Sequence, residues 1–170
     1  AGGDFERYLE ATRRLDGTNI SEVLLPATVE SDWISGCMMM VPVRVYDQLG
    51  GLDERYFIWS EEWDYSLRVR ESGRKLVVAS ESRIYHKVGR SLGVLKPLSY
   101  YYGTRNRLLL KRMHLSRRRR LEFIPAFLLS RVLRFAQLAV DGRWDLVQAG
   151  CAAILDYLLG RTGKWRAQSG

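Results

Sequence analysis

The sequence predicts an α/β part over residues 1 to 98, a partial mixed sheet with helices, followed by an α-helical region over residues 99 to 170. Three observations predict it. Short apolar runs punctuated by Gly and Pro fill the first part, as strands and short helices require. Beyond Pro97 the punctuation gives way to long helical segments. The charge divides at the same place: residues 1–95 hold 12 Lys/Arg against 15 Asp/Glu, a balance of −3, whereas residues 96–170 hold 15 against 4, a balance of +11.

With 170 residues, 46% hydrophobic and 27% charged, the composition is that of a folded globular chain and excludes disordered, collagenous and disulfide-scaffold classes. The basic second half points to an anionic surface, membrane headgroups or nucleic acid. Cys37 and Cys151 have no paired spacing, so reduced, buried thiols of a cytosolic protein are expected, and the charged start reads as no signal peptide.

The first thirty residues show no clear period and carry no assignable chemistry. Cys37 to Val41 is a short apolar run that reads as a buried strand, and residues 44–49 read as a short helix stopped by Gly50-Gly51. A helix over 60–72 has the clearest punctuation. Ser60 suits its N-cap, Glu61 and Glu62 occupy the first turn where the dipole favours anions, and Gly73 supplies a left-handed stop. Lys75 to Ala79 and Arg83 to His86 read as strands, followed by a loop to Gly93. Helices are expected over 100–113, 117–140 and 144–159. The middle one carries Arg131, Arg134 and Asp141 on one face of a wide apolar sector, and its charges and Pro125 make it a poor membrane-spanning segment.

The densest polar cluster is Glu61-Glu62-Trp63-Asp64, set among Tyr56, Phe57 and Trp59. On a helix Glu61 and Asp64 share a face while Glu62 points about 100° away. One carboxylate can then face a cleft while the others hold amides or a cation. Acidic first turns are also ordinary helix chemistry, and Asp64 is spaced to pair with Arg68 at i,i+4. His86 follows a predicted strand and can converge on the same site.

Ser35-Gly36-Cys37-Met38-Met39, Gly50 to Phe57, Glu61 to Arg68, Gly73 and Ile84-Tyr85-His86 together resemble the acceptor half of family 2 glycosyltransferases, of GT-A type, nearest the rhamnosyltransferase-like branch. The resemblance covers roughly residues 33 to 112, including Tyr101 to Arg107, and extends loosely to Gly160-Arg161-Thr162-Gly163. It implies an inverting sugar transfer from a nucleotide-diphosphate sugar to a saccharide or polyprenyl-linked acceptor, in cell-surface polysaccharide or glycolipid synthesis. The family pattern Glu-Asp-x-Asp puts the catalytic base on Glu62, here Glu in place of Asp, with Glu61 and Asp64 as orienting neighbours. An extra methylene moves the carboxylate by about an ångström, a displacement that can cost ~10²-fold in rate. The resemblance further implies that His86 helps hold a divalent metal, Mn²⁺ or Mg²⁺, or the donor diphosphate. Trp33, Ser35 and Gly36 would line the acceptor pocket, and Trp59 and Trp63 are candidates to stack on sugars, against core packing as the plain alternative.

The family's donor half carries an Asp-x-Asp motif, and these residues contain none. The expectation is therefore a C-terminal portion of a longer transferase, inactive as an isolated fragment, with the metal held mostly by the donor half. Arg117-Arg118-Arg119-Arg120 directly before an apolar helix reads as attachment to an anionic bilayer at the cytoplasmic face of the cell membrane. No aromatic platform accompanies the run, so nucleic acid is not expected as a partner. A non-catalytic membrane- or partner-binding remnant of a transferase, a nucleic-acid-binding basic module and a metal-dependent hydrolase stay open as alternatives.

Overall fold

A computed structural model describes residues 26–82, 84 and 96–166. Strand β1 (Thr28–Ser31) pairs antiparallel with β2 (Leu76–Ala79), with Thr28 opposite Ala79 and Ser31 opposite Leu76. Ser80 fastens the open end of this ribbon by donating from its backbone N–H to Ala27 O at 3.1 Å and from its hydroxyl to Pro26 O at 2.6 Å.

Between the strands lie helices α1 (Val43–Leu49) and α2 (Glu61–Glu71). Gly50 ends α1 with a positive φ of 74°, and Gly73 with φ 78° turns the chain from α2 toward β2, as their lack of a Cβ permits. Val45, Tyr65 and Val69 form one small core, closed by Met39, Val41, Leu49 and Leu76. The apolar run Cys37 to Val41 is not the expected buried strand. Ser35 accepts a bond from Cys37 N and starts a 3-10 turn over Gly36–Met38, Pro42 interrupts on the other side, and Met40 is 91% exposed. Apolar runs this short do not reveal their backbone by periodicity.

Ser60 occupies the cap position of α2 but not by the expected means. Its φ is 77° and its side chain makes no cap bond, because the preceding loop enters the helix through left-handed backbone. The expected strand Arg83 to His86 and the loop after it lie outside the described residues, apart from Ile84.

Three helices complete the chain: α3 (Pro97–His114), α4 (Arg117–Val140) and α5 (Trp144–Leu158). Pro97 opens α3 where a missing N–H costs nothing, and Ser116 caps α4 by accepting from Arg119 N. Tyr101, Tyr102, Ala149 and Ala153 form the second core between α3 and α5, with Trp165 stacked on Tyr101 at 4.3 Å. Gly150 lets α5 approach closely, since a Cβ there would lie 2.5 Å from the Phe135 ring and 2.9 Å from Tyr100. Ile58 and Trp59 pack onto this core, so residues on both sides of position 98 share it.

Two further expectations change. Both cysteines are exposed rather than buried, Cys37 because it sits on the outward 3-10 turn. Helix α4, despite its charges and Pro125, is long and apolar enough to cross a membrane, the one such helix among the described residues, and little of it is buried. Leu121, Leu129, Val132, Leu133 and Val140 all face outward, while Phe127 and Leu138 are its buried members.

Candidate active site

The site begins in the loop that delivers α2. Asp53 and Arg55 close a tight two-residue ion pair at 2.6 Å. Phe57, Trp59 and Ser60 then adopt positive φ values of 65°, 62° and 77°. Left-handed backbone costs roughly 1–2 kcal/mol for each residue that carries a Cβ, so this loop needs support from outside itself.

Helix α3 supplies it. Asn106, fully buried, donates from its amide nitrogen to Tyr56 O at 3.0 Å, Ile58 O at 2.7 Å and Trp59 O at 2.7 Å. Arg105, 1% exposed, donates to Tyr56 O at 2.8 Å, Arg55 O at 3.0 Å and Gly163 O at 2.6 Å. Its guanidinium also donates to Asn106 Oδ1 at 2.8 Å, which fixes the amide so that its nitrogen faces the loop carbonyls. Carbonyl oxygens and the faces of Tyr101 and Tyr102, not a carboxylate, compensate this buried cation.

Within α2 the three carboxylates separate by face. Glu62 is half-buried and adjoins Gly36, whose missing Cβ would meet Glu62 Cβ at 3.6 Å. Burial, with the neighbouring Glu61 carboxylate, pushes the Glu62 carboxyl above its ordinary range. Glu61 lies beside it, with Oε2 buried and no hydrogen-bond partner among the described residues.

Asp64 is turned into the protein. It accepts from Arg68 Nε at 2.8 Å, lies 2.8 Å from His114 Nε2 and receives the Tyr56 hydroxyl at 3.4 Å. Burial alone would raise its carboxyl, but His114 and Arg68 outweigh that and hold it below the usual carboxylate range. The Asp64–Arg68 pair is the i,i+4 contact anticipated from spacing. Arg68 extends it by donating to Leu49 O at 2.7 Å and Gly51 O at 2.8 Å, which ties the end of α1 to α2. Asp64 thus anchors helix to helix, on a face of α2 away from Glu62.

Trp33, Ser35 and Gly36, expected on the acceptor side, gather nearby. Ser66 accepts from Ile34 N at 3.3 Å and holds the segment Trp33 to Gly36 along α2. Trp33 stacks on Trp63 with ring centroids 5.0 Å apart, and Trp33 and Ser35 line a cavity of about 660 Å³ bounded by β2 and residues 37–42. Trp59 faces the Tyr101–Tyr102 core instead. His86 lies outside the described residues. Among the described residues no three of His, Cys, Asp and Glu come together to hold a metal ion. Arg117, Arg118 and Arg119 are exposed on the first turn of α4 and Arg120 is half-buried.

Arg105 and Asn106 went unassigned from sequence. The polar run Thr104-Arg105-Asn106-Arg107, set between Tyr101-Tyr102 and Leu108-Leu109 in one helical stretch, is the available signal. His114 was missed as well, because its partners lie 43 and 50 residues away.

A strained loop pinned by α3 feeds an acidic helix turn seated against a glycine. Residues 5–98 match the family described as glycosyltransferase like family 2, and the chain belongs to that family. It is similar to the N-acetylglucosaminyl-diphospho-decaprenol L-rhamnosyltransferases of two strains of Mycobacterium tuberculosis, each 32% identical over 72 residues. That match covers 42% of this chain and 24% of each relative, so the chain spans about a quarter of the length of the curated relatives it matches. No solved structure matches the chain.

Proposed function

We propose that the chain supplies the catalytic base and acceptor site for inverting transfer of a sugar from a nucleotide-diphosphate donor to a lipid-linked saccharide. The observation that carries this reading is Glu62, half-buried against Gly36 with its carboxyl held above the ordinary range by burial, the residue to which the sequence resemblance assigns the base. Its carboxylate takes the proton from the acceptor hydroxyl as that oxygen bonds to the anomeric carbon. The bond from that carbon to the donor diphosphate breaks, and the nucleoside diphosphate leaves with the electron pair. A raised pKa suits this task, since a base whose affinity approaches working pH accepts a proton more readily. The diphosphate-linked polyprenol in the relatives' names supports a lipid-linked acceptor of that kind.

Donor and divalent metal, Mn²⁺ or Mg²⁺, belong in this reading to a donor-binding half not contained in these residues, without which the 170-residue chain is inactive. Peripheral attachment at the cytoplasmic face of the membrane completes it. Four arginines in the first turn of α4 oppose the helix dipole, each at roughly 0.3–1 kcal/mol, a cost that an anionic surface offsets. The outward leucines and valines of the same helix suit the acyl boundary. Incubating the full-length protein with nucleotide-diphosphate sugars and a polyprenyl-diphosphate saccharide tests the reading. The product should carry the inverted anomeric configuration; retention, or no transfer from any donor, would refute it.

A further inference from the structure

A cavity of about 310 Å³ lies where the last turns of α3 and α5 meet the loop that carries Arg55, and it shares no residue with the cavity beside Trp33. Its walls hold four guanidinium groups, from Arg55, Arg105, Arg112 and Arg161. A neighbouring hollow of about 500 Å³ shares Arg161 and Thr162 with it and adds Lys164 and Arg166. Six cations therefore border one stretch of surface, against two carboxylates, Asp53 and Asp156.

These cations differ in what they have left to donate. All three nitrogens of Arg105 already donate to protein oxygens, so it contributes charge from beneath and no further bond. Asp53 holds Nε and Nη2 of Arg55. Asp156 takes Arg161 through Nη1 at 3.2 Å, on an arginine side chain 66% exposed, and exposed pairs of this kind hold weakly. Arg112, Lys164 and Arg166 pair with no carboxylate among the described residues, and the hydroxyls of Tyr157 and Thr162 in the same walls make no hydrogen bond there. Guanidinium forks and hydroxyls converging on one hollow form a donor set suited to phosphate oxygens.

Building on the peripheral attachment of the preceding section, we propose that this hollow binds the phosphate of an anionic membrane phospholipid, with Arg112 and Arg161 taking its oxygens and Thr162 donating from its hydroxyl. Attachment then has a defined headgroup site in addition to a charged face. Two features favour a lipid over a free phosphate ion. The rim is apolar: Met113 belongs to the wall, and Leu158 and Leu159, 72% and 55% exposed, immediately precede Gly160 of the same wall. A soluble anion gains nothing from such a rim. The basic start of α4 is also fastened to this place, because Arg120 Nη1 donates to Arg112 O at 3.4 Å. Headgroup site, exposed leucines and arginine run thus meet one bilayer surface together.

Isothermal titration of the full-length protein with dihexanoyl phosphatidylglycerol, kept below its micelle concentration so that no bilayer forms, tests the site apart from the surface. Dihexanoyl phosphatidylcholine and inorganic phosphate are the parallel probes. Phosphatidylglycerol should bind saturably, one per chain, and at least about fivefold more tightly than either. Arg112→Gln combined with Arg161→Gln should weaken it about tenfold or more at an unchanged thermal midpoint. Should the pair disturb the turn at Asp156, Arg112→Gln alone, which breaks no ion pair, should still weaken it about threefold or more. Replacing Arg117 to Arg120 with Ser should change binding of the monomeric lipid by less than about threefold, and a loss equal to that of the Arg112/Arg161 variant would overturn the hollow as the site. Inorganic phosphate binding as tightly as phosphatidylglycerol would overturn the lipid source. Anionic vesicles bound by the parent without saturable binding of the monomeric lipid would overturn the headgroup site while leaving surface attachment intact. Vesicle binding indifferent to lipid charge bears instead on the attachment reading itself.

Discussion

The side-chain amide of Asn106 donates to the backbone carbonyl of Trp59 at 2.7 Å, across 47 residues of sequence. Through this bond and its two companions, a helix from the basic half holds the strained loop that sets the first turn of α2. The pose of Glu62 therefore depends on α3 as much as on its own helix.

Asn106→Ala removes the donor for three carbonyls and leaves buried oxygens unsatisfied. At about 1–3 kcal/mol for such a group, with partial relaxation of the loop, a loss of about 2–4 kcal/mol is expected. Chemical denaturation of parent and variant measures it. A loss below about 0.5 kcal/mol would mean the loop holds its left-handed residues unaided.

The His114 bridge between Asp64 and Glu71 predicts a pH dependence of stability. Hydrogen bonding to Asp64, working against burial, raises the imidazole above its ordinary value of 6.5. A raised folded pKa makes its contribution complete below 6.5 and lost as pH rises through the folded value. For Asp64 the folded pKa is lowered from 3.8, so its share is present above that value and lost as pH falls through the lowered one. Denaturation midpoints should therefore fall in the parent as pH rises from the ordinary imidazole value of 6.5 through the raised one, and vary less in His114→Gln. Parallel curves for the two proteins would remove His114 from the account.

Gly150→Ala places a methyl group 2.5 Å from the Phe135 ring. Overpacking of this kind costs typically about 1–3 kcal/mol, and Phe135→Leu in the same chain should recover part of it. A double-mutant cycle by thermal unfolding reads the coupling directly, and additive effects would show that α4 yields freely.

Membrane attachment is checked by liposome co-sedimentation. At on the order of 1 kcal/mol for each arginine near an anionic surface, replacing Arg117 to Arg120 with Ser should weaken binding to anionic vesicles by roughly 10²-fold or more. Neutral vesicles should bind weakly in both cases. Binding indifferent to lipid charge and to the substitutions would contradict a peripheral, charge-guided attachment.

What the sequence disclosed followed from local physics. The acidic start of α2, its glycine stop at Gly73, the Asp64–Arg68 pair and the three helices after Pro97 rest on interactions within a few residues, and these are legible in a single chain. The Cys37 to Val41 run misled because a short apolar stretch does not announce whether anything covers it. Ser60 misled because its cap geometry is decided by the loop, and the loop by Asn106. His114, Arg105 and Asn106 act over tens of residues, where no local period or spacing marks the partner.

The central claim is that Glu62 is the base, and the direct measurement is kcat for sugar transfer by the full-length protein carrying Glu62→Gln, followed across pH. The substitution should lower kcat by about 10²-fold or more, and Glu62→Asp, which keeps a carboxylate but withdraws it by one methylene, should retain more of the rate than Glu62→Gln. Because burial raises its pKa, parental activity should fall as pH drops through a value above the ordinary glutamate range of about 4.5, and that acid limb should disappear in Glu62→Gln. Transfer by Glu62→Gln within a few-fold of the parent, with the acid limb intact, would contradict the assignment.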